Sequence, residues 1–234
     1  MNTRRLFITG TDTGVGKTYV ACRLARELRR SGLAVGAYKP VCSGAVPQAS
    51  PPKWDDVERL FEALDRRFPR EQICPQTFLA PVAPPAAARL EDRLIDEALL
   101  VQGADRWNGD VDVVLIEGAG GWLSPVSQNF TVADLAVRLS APVLVVAANR
   151  LGVINHTLLT VESIRSRGLP VAGVILNETA EPAQAPDFAS DNLCEIESRG
   201  KVPVLGILPF ADSRGLVRFG RNVTLDLNSI LASG

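Results

Sequence analysis

The segment Gly10-Thr11-Asp12-Thr13-Gly14-Val15-Gly16-Lys17-Thr18 constrains the fold of this chain more than any other stretch of it. It follows the apolar run Leu6-Phe7-Ile8 and leads into a helical pattern through Val20 and Leu28, so a strand has to turn sharply into a helix here. The glycines at 10, 14 and 16 free the backbone to aim several N–H groups at one anion, and the helix start adds its positive end. Lys17 supplies a point charge for β- and γ-phosphates, and Thr18 supplies a hydroxyl for magnesium. These residues read as a site for the triphosphate of ATP or a close relative. The plain alternative is a glycine-rich strand-to-helix turn without a ligand.

Such a loop belongs in an α/β fold, and the rest of the chain has the matching rhythm. Short β-branched runs at 4–9, 34–39, 111–117, 143–148, 171–177 and 204–208 read as buried parallel strands. Helical patterns cover 17–31, 54–68, 94–108, 132–139, 155–167 and 188–198, with a shorter helix expected near the C-terminus. The expectation is a P-loop NTPase-type, mostly parallel sheet with helices on both faces and right-handed crossovers. With 234 residues and 46% hydrophobic content, residues 1–234 are expected to form one large domain rather than two small ones. Residues 40–53 and 178–191 break the rhythm and read as mobile loops. Ala80-Pro81-Val82-Ala83-Pro84-Pro85 reads as a rigid loop, and no internal repeat of solenoid period is visible.

Composition narrows the partners. The 25 basic and 26 acidic residues nearly cancel, so no basic surface of the kind that drives nucleic-acid binding is implied, and a small-molecule substrate is expected. The basic start at 1–5 is followed by only three apolar residues, too few for a signal peptide or a membrane span, and a cytoplasmic protein is expected. Cys22, Cys42, Cys74 and Cys194 are far apart, without a CxxC pair, and read as ordinary thiols rather than a metal knuckle or a disulfide framework.

Several further residues could carry chemistry. In Val113-Val114-Leu115-Ile116-Glu117 four apolar residues deliver a carboxylate to the carboxyl end of a buried strand, where open α/β sheets bind ligands. Glu117 could hold magnesium there, with Gly118-Ala119-Gly120-Gly121 letting backbone approach a transferring phosphate; it could equally be a solvated strand-end acid. Lys39, at the end of the second strand and followed by Pro40, is either a cation for phosphoryl transfer or a surface charge. Ser43-Gly44 could hold a substrate, and both are also ordinary turn residues. Asn155 reads as a helix N-cap beside His156, the single histidine; that helix start either receives a carboxylate or is simply capped.

Taken in order, four blocks resemble the ATP-dependent dethiobiotin synthetase family. They are Gly10-Thr11-Asp12-Thr13 with Val15-Gly16-Lys17-Thr18, then Tyr38-Lys39-Pro40-Val41 with Ser43-Gly44, then Glu117-Gly118-Ala119-Gly120-Gly121-Trp122, then Leu151-Gly152-Val153-Ile154-Asn155-His156. The first block is common among ATPases, whereas the second and third together are considerably more specific. The resemblance implies nucleotide phosphates held by Thr13, Gly14, Val15, Gly16, Lys17, Thr18 and Tyr19, with Gly118, Ala119 and Gly120 alongside. It implies Thr18, Asp56 and Glu117 as magnesium ligands, with Asp55 a neighbouring candidate for the role of Asp56. Lys39 would be catalytic together with Lys17; Asn177 would contact adenine, and Pro209, Phe210 and Ala211 would lie beside the nucleoside. Ser43, Gly120 and Asn155 would bind substrate. Asn155 would do so across a homodimer in which the active site is shared and residues 152–157 reach the partner.

The implied reaction joins carbon dioxide to 7,8-diaminononanoate, with ATP driving closure of a ureido ring. Two other readings compete. One is a ParA/MinD-like partitioning switch ATPase, whose loop carries a signature lysine at the position held here by Asp12. The other is a cobyrinate-type amidoligase, which needs an appended glutaminase for which a chain ending at Gly234 is expected to have no room.

Overall fold

The computed structural model describes residues 3–180, 188–210, 216–218, 221–223 and 230. Its strands are β1 (Arg4–Gly10), β2 (Val35–Tyr38), β3 (Cys42–Ser43), β4 (Thr77–Phe78), β5 (Val113–Glu117), β6 (Val143–Ala148), β7 (Val171–Asn177), β8 (Val204–Leu208), β9 (Leu216–Arg218) and β10 (Arg221–Val223). The helices are α1 (Lys17–Arg30), α2 (Asp55–Ala63), α3 (Arg70–Ile73), α4 (Pro84–Leu90), α5 (Glu97–Gln102), α6 (Val132–Leu139), α7 (Val153–Ser166) and α8 (Phe188–Gly200), with a 3₁₀ turn at Gly103–Trp107.

Among the described residues, the main sheet runs in the order β10-β9-β8-β7-β6-β1-β5-β2. From β2 to β8 every neighbouring pair is parallel, and β9 and β10 add antiparallel strands at the far edge. Parallel strands all end on one edge of the sheet, which therefore collects the residues that follow them. β1 lies between β5 and β6, and its register with β5 sets Ile8 opposite Glu117. The strand-end acid is thus a direct neighbour of the loop that follows β1. β5 is buried at every position, as an apolar run without alternation requires when both faces of a sheet are covered.

Close packing explains why one expected helix is broken. Trp107, fully buried, lies over Gly36 of β2, where an added Cβ would come within 2.3 Å of the indole. Tyr38 projects onto the start of the 3₁₀ turn, and its hydroxyl donates to the carbonyls of Leu99 and Leu100 at 2.9 and 3.1 Å. The pattern at 94–108 consequently forms α5 and a tighter 3₁₀ turn rather than one continuous helix.

Other expectations need correction. The helix expected over 54–68 stops at Ala63, because Asp65 and Arg66 take positive φ of 51° and 58° and cannot continue it. Residues 80–85 do not form a loop throughout: Pro84 and Pro85 open α4, where the first turn has no use for their missing N–H groups. Within 40–53, Cys42–Ser43 pairs in parallel with Thr77–Phe78, so that segment is partly anchored. Of the loop expected at 178–191, residues 181–187 lie outside the described residues, and Phe188 already begins α8. The expected C-terminal helix also falls mostly outside them, with Ile230 alone described as helical.

Candidate active site

The phosphate loop takes the form that its glycines permit. Gly16, with φ of 92°, is the residue from which α1 starts. A Cβ there would fall 2.1 Å from the Asn177 side-chain nitrogen, so both the backbone angle and the space exclude another residue. Asn177, buried at the end of β7, donates from Nδ2 to the Val15 carbonyl at 3.0 Å and ties the loop to the sheet. Within the loop, the Asp12 carboxylate accepts from the Thr13 N–H at 2.7 Å, and Lys17 Nζ donates to the Asp12 carbonyl at 3.1 Å. Lys17 is buried, and burial outweighs the pull of Glu117 to bring its ammonium down to about 8.

Two strand ends and two helices then converge. Thr18 Oγ1 donates to Glu117 Oε1 at 2.6 Å, and Lys39 Nζ reaches the same oxygen at 2.6 Å and Asp56 Oδ2 at 2.6 Å. Lys39 is held in place by its own N–H, which donates to the Ile73 carbonyl at 2.7 Å just before Pro40 turns the chain. Burial alone would pull the Lys39 ammonium down, but Glu117 and Asp56 overcome it and hold the group well above its usual range. The converse holds at Asp56, where Lys39 outweighs burial and keeps the carboxyl below the usual carboxylate range. The open alternatives at Glu117 and Lys39 therefore resolve against a solvated strand end, since both are buried and paired.

Glu117 Oε2 is buried and has no hydrogen-bond partner among the described residues. An orphaned carboxylate oxygen next to a threonine hydroxyl and a second carboxylate fits a hard cation that takes oxygen ligands. Among the described residues no group of three or more His, Cys, Asp or Glu side chains is assembled to hold a metal alone. A set of two carboxylates and one hydroxyl suits magnesium, which draws its remaining ligands from phosphate and water. Asp56, rather than Asp55, faces this cluster through Lys39, although both border the same cavity.

That cavity, of about 320 Å³, is lined by Thr13, Gly14, Gly16, Lys17, Thr18 and Tyr19 from the loop and α1. Lys39, Asp56, Glu117 and Gly120 complete the expected residues on its wall. Val15 is buried beneath it, and Gly118 packs against Val132. A second cavity of about 370 Å³ shares Thr13 and Gly120 with the first and adds Ala119 and Ser43. Its further wall is Pro81, Val82, Pro84 and Pro125, an apolar surface the sequence reading missed because prolines there looked like mere loop residues. Ser43 Oγ presently donates to the Val82 carbonyl at 2.6 Å.

The remaining expected residues lie apart. Pro209 and the exposed Phe210 follow β8, and Ala211 is outside the described residues. Asn155 is not an N-cap. α7 starts at Val153 from Gly152, whose φ of 93° lets the chain turn two residues earlier than expected, and the His156 N–H already donates to the Gly152 carbonyl. Asn155 and His156 are both exposed in the first turns of α7, and His156 borders a third cavity of about 360 Å³ with Thr11, Trp122 and Ser124. Among the described residues all four cysteines are free, with burial pushing the Cys42 thiol up to about 11, which suits an inert thiol. No helix among the described residues is long and apolar enough to cross a membrane.

Comparison with known proteins adds relatives to this geometry. A family model described as an AAA domain matches residues 4–215. The ATP-dependent dethiobiotin synthetase BioD of Anaeromyxobacter dehalogenans is 50% identical over 207 residues, covering 88% of this chain and 90% of its own. The protein of the same name from Phenylobacterium zucineum is 39% identical over 205 residues, covering 86% of each chain. Among solved structures, the MinC:MinD cell division protein complex of Aquifex aeolicus gives a TM-score of 0.52 at 16% identity, over 91% of this chain and 83% of that one. The signal recognition particle receptor FtsY of Elizabethkingia anophelis gives 0.51 at 19% identity, over 98% of this chain and 64% of that one. Likenesses at these identities establish a fold of the P-loop NTPase type and carry no function with them.

Proposed function

Because the chain belongs to the ATP-dependent dethiobiotin synthetase family, we propose that it joins carbon dioxide to 7,8-diaminononanoate with ATP and closes the ureido ring of dethiobiotin. The observation that carries this reading is the junction of Lys39, Glu117, Asp56 and Thr18 beside the phosphate loop, opening onto a second, largely apolar cavity. One amine captures carbon dioxide as a carbamate and releases a proton. The carbamate oxygen attacks the γ-phosphorus, and the bond to ADP breaks. The second amine then attacks the carbamoyl carbon of the mixed anhydride, expelling phosphate and leaving a cyclic urea.

Carbamate and triphosphate are both anionic, so bringing them together needs positive charge already in place. Lys17 compensates the phosphates from the loop, and Lys39, on the wall of the same cavity, supplies a second cation for the carbamate and the transferring phosphoryl group. Thr18, Asp56 and Glu117 would hold magnesium, which when bound shields the β- and γ-oxygens and stabilises charge on the leaving group. Asn177 has the carboxamide oxygen of its side chain left to meet the nucleotide base, and Pro209, Phe210 and Ala211 would flank the nucleoside. Ser43 and Gly120 border the second cavity, whose prolines and Val82 suit the hydrocarbon chain of the diamine.

The diamine's carboxylate would be received by the start of α7, with Asn155, from a second copy of the chain in a homodimer. Exposure of Asn155 and His156, beside the exposed Leu123, Leu151 and Leu159, supports that reading. The protein would act in the cytoplasm. A phosphate-release assay with ATP, magnesium, bicarbonate and diaminononanoate, each omitted in turn, tests the whole reading. Release is expected only with all four present; release without the diamine would instead indicate a switch ATPase.

A further inference from the structure

The cavity that contains Lys17, Lys39, Asp56 and Glu117 has another cation on its wall, Arg59 of α2. Arg59 follows Asp55 by four residues and Asp56 by three, the spacings that set side chains on one face of a helix, so α2 presents all three to the cavity. Apart from Asp55, the acids of α2 are engaged elsewhere. Asp56 holds Lys39, Glu58 takes Arg70 through two hydrogen bonds at 2.6 and 2.7 Å, and Glu62 takes Arg66. Among the described residues Arg59 itself makes no ion pair or hydrogen bond, and it is exposed.

The two lysines of the cavity already have partners, Lys17 the Asp12 carbonyl and Lys39 its two carboxylates. Among the described residues Arg59 is the basic group on that wall with no hydrogen bond or ion pair at all. A guanidinium offers a planar fork that matches two phosphate oxygens at once, which a lysine cannot do. We propose that Arg59 is a phosphate-binding residue of the nucleotide site, contacting the phosphate chain of magnesium-bound ATP from the α2 side of the cavity. This rests on the nucleotide reading of the cavity given above. A solvated arginine that only pairs now and then with Asp55 would add nothing to nucleotide binding.

Equilibrium binding of ADP and of a β,γ-imido analogue of ATP, each with magnesium, decides between these. It is measured by calorimetry on the full chain and on its Arg59→Gln, Arg59→Lys and Lys17→Ala variants, at low and at high salt. Arg59→Gln is expected to weaken the triphosphate analogue roughly 2- to 5-fold at low salt, the upper part of the range for one exposed charged contact. The loss should shrink at high salt, Arg59→Lys should recover part of it, and Tm and the KM for the diamine should stay unchanged. Unaltered analogue affinity in Arg59→Gln at low salt overturns the proposal, as does a loss confined to the KM for the diamine. Lys17→Ala separates the two levels: if it also leaves binding intact, the nucleotide reading fails. If it abolishes binding while Arg59→Gln does not, only the role of Arg59 fails.

Discussion

Lys39 and Glu117, 78 residues apart in sequence, meet at 2.6 Å in a setting where their side chains are 4% and 2% exposed. A buried pair of this kind adds little net stability, yet removing Lys39 strands the Glu117 charge and costs on the order of 3–5 kcal/mol. The pair is therefore costly to break whatever its catalytic value, and the two effects have to be separated by experiment.

Lys39→Ala should reduce kcat by about a hundredfold to a thousandfold, the usual consequence of losing one preorganised charge donor, while the affinity for ATP changes less. It should also lower Tm. Adding Glu117→Gln to the same chain should restore much of the stability and none of the turnover. Lys39→Arg should fail as well, because a planar guanidinium does not place charge where a compact ammonium sat. Single-turnover kinetics showing an unchanged phosphoryl-transfer step in Lys39→Ala would reduce Lys39 to a binding residue.

Glu117→Gln alone keeps the side-chain volume and removes the charge that a metal would use. The half-saturating magnesium concentration should rise about tenfold or more, at least the effect seen for groups one layer further from a metal. Lys39 keeps Asp56 as a partner, so the fold should persist. A magnesium titration that matches the unaltered protein, together with a large loss in Tm, would make Glu117 a structural residue.

The Lys17 ammonium, brought down to about 8 by burial, should make nucleotide binding depend on pH. Bound phosphate favours the charged form, so binding takes up a proton above pH 8, and affinity should fall as pH rises through that value, by up to about tenfold per pH unit. Calorimetry in buffers of different ionisation enthalpy should reveal the uptake; affinity that is flat between about pH 7 and 9.5 would contradict it. In the nucleotide-free protein the sign for stability is opposite. Between about 8 and 10.5 the unfolded chain keeps this proton and the native chain does not, so the Lys17 contribution grows with pH over that window.

If the start of α7 serves the neighbouring subunit, Lys17→Ala and Asn155→Ala should each be inactive alone. Mixed dimers should then regain part of the activity, since one of their two sites would contain both intact halves. Confirmed heterodimers without any activity would remove the shared site.

Much of this arrangement was legible in the sequence because it depends on strand ends. The runs at 143–148, 171–177 and 204–208 coincide with β6, β7 and β8, and the carboxyl edge of a parallel sheet necessarily gathers Lys17, Lys39 and Glu117. What escaped depended on contacts between distant elements. The break at Gly103 follows from Tyr38 lying against it, and no local pattern records that. The early start of α7 was hidden because Asn155 has the chemistry of a cap, whereas Gly152, three places outside the expected helix, has the backbone angle that makes the turn. The apolar wall at Pro81, Val82 and Pro84 is a product of β3 pairing with β4, a contact between segments that were read separately.

The hydrogen bond from Thr18 to Glu117 spans 99 residues of chain, and the bond from Lys39 to Glu117 spans 78. α1 can form from local interactions alone, but the cluster exists only after β1, β5 and β2 have found one another, and loop-closure entropy makes such distant pairings the slow part of folding. During refolding, helical signal should therefore return before enzyme activity, and activity should track the completion of the sheet. A form of this chain in which β1, β5 and β2 have not yet paired would possess a phosphate loop without Lys39 and Glu117 assembled beside it.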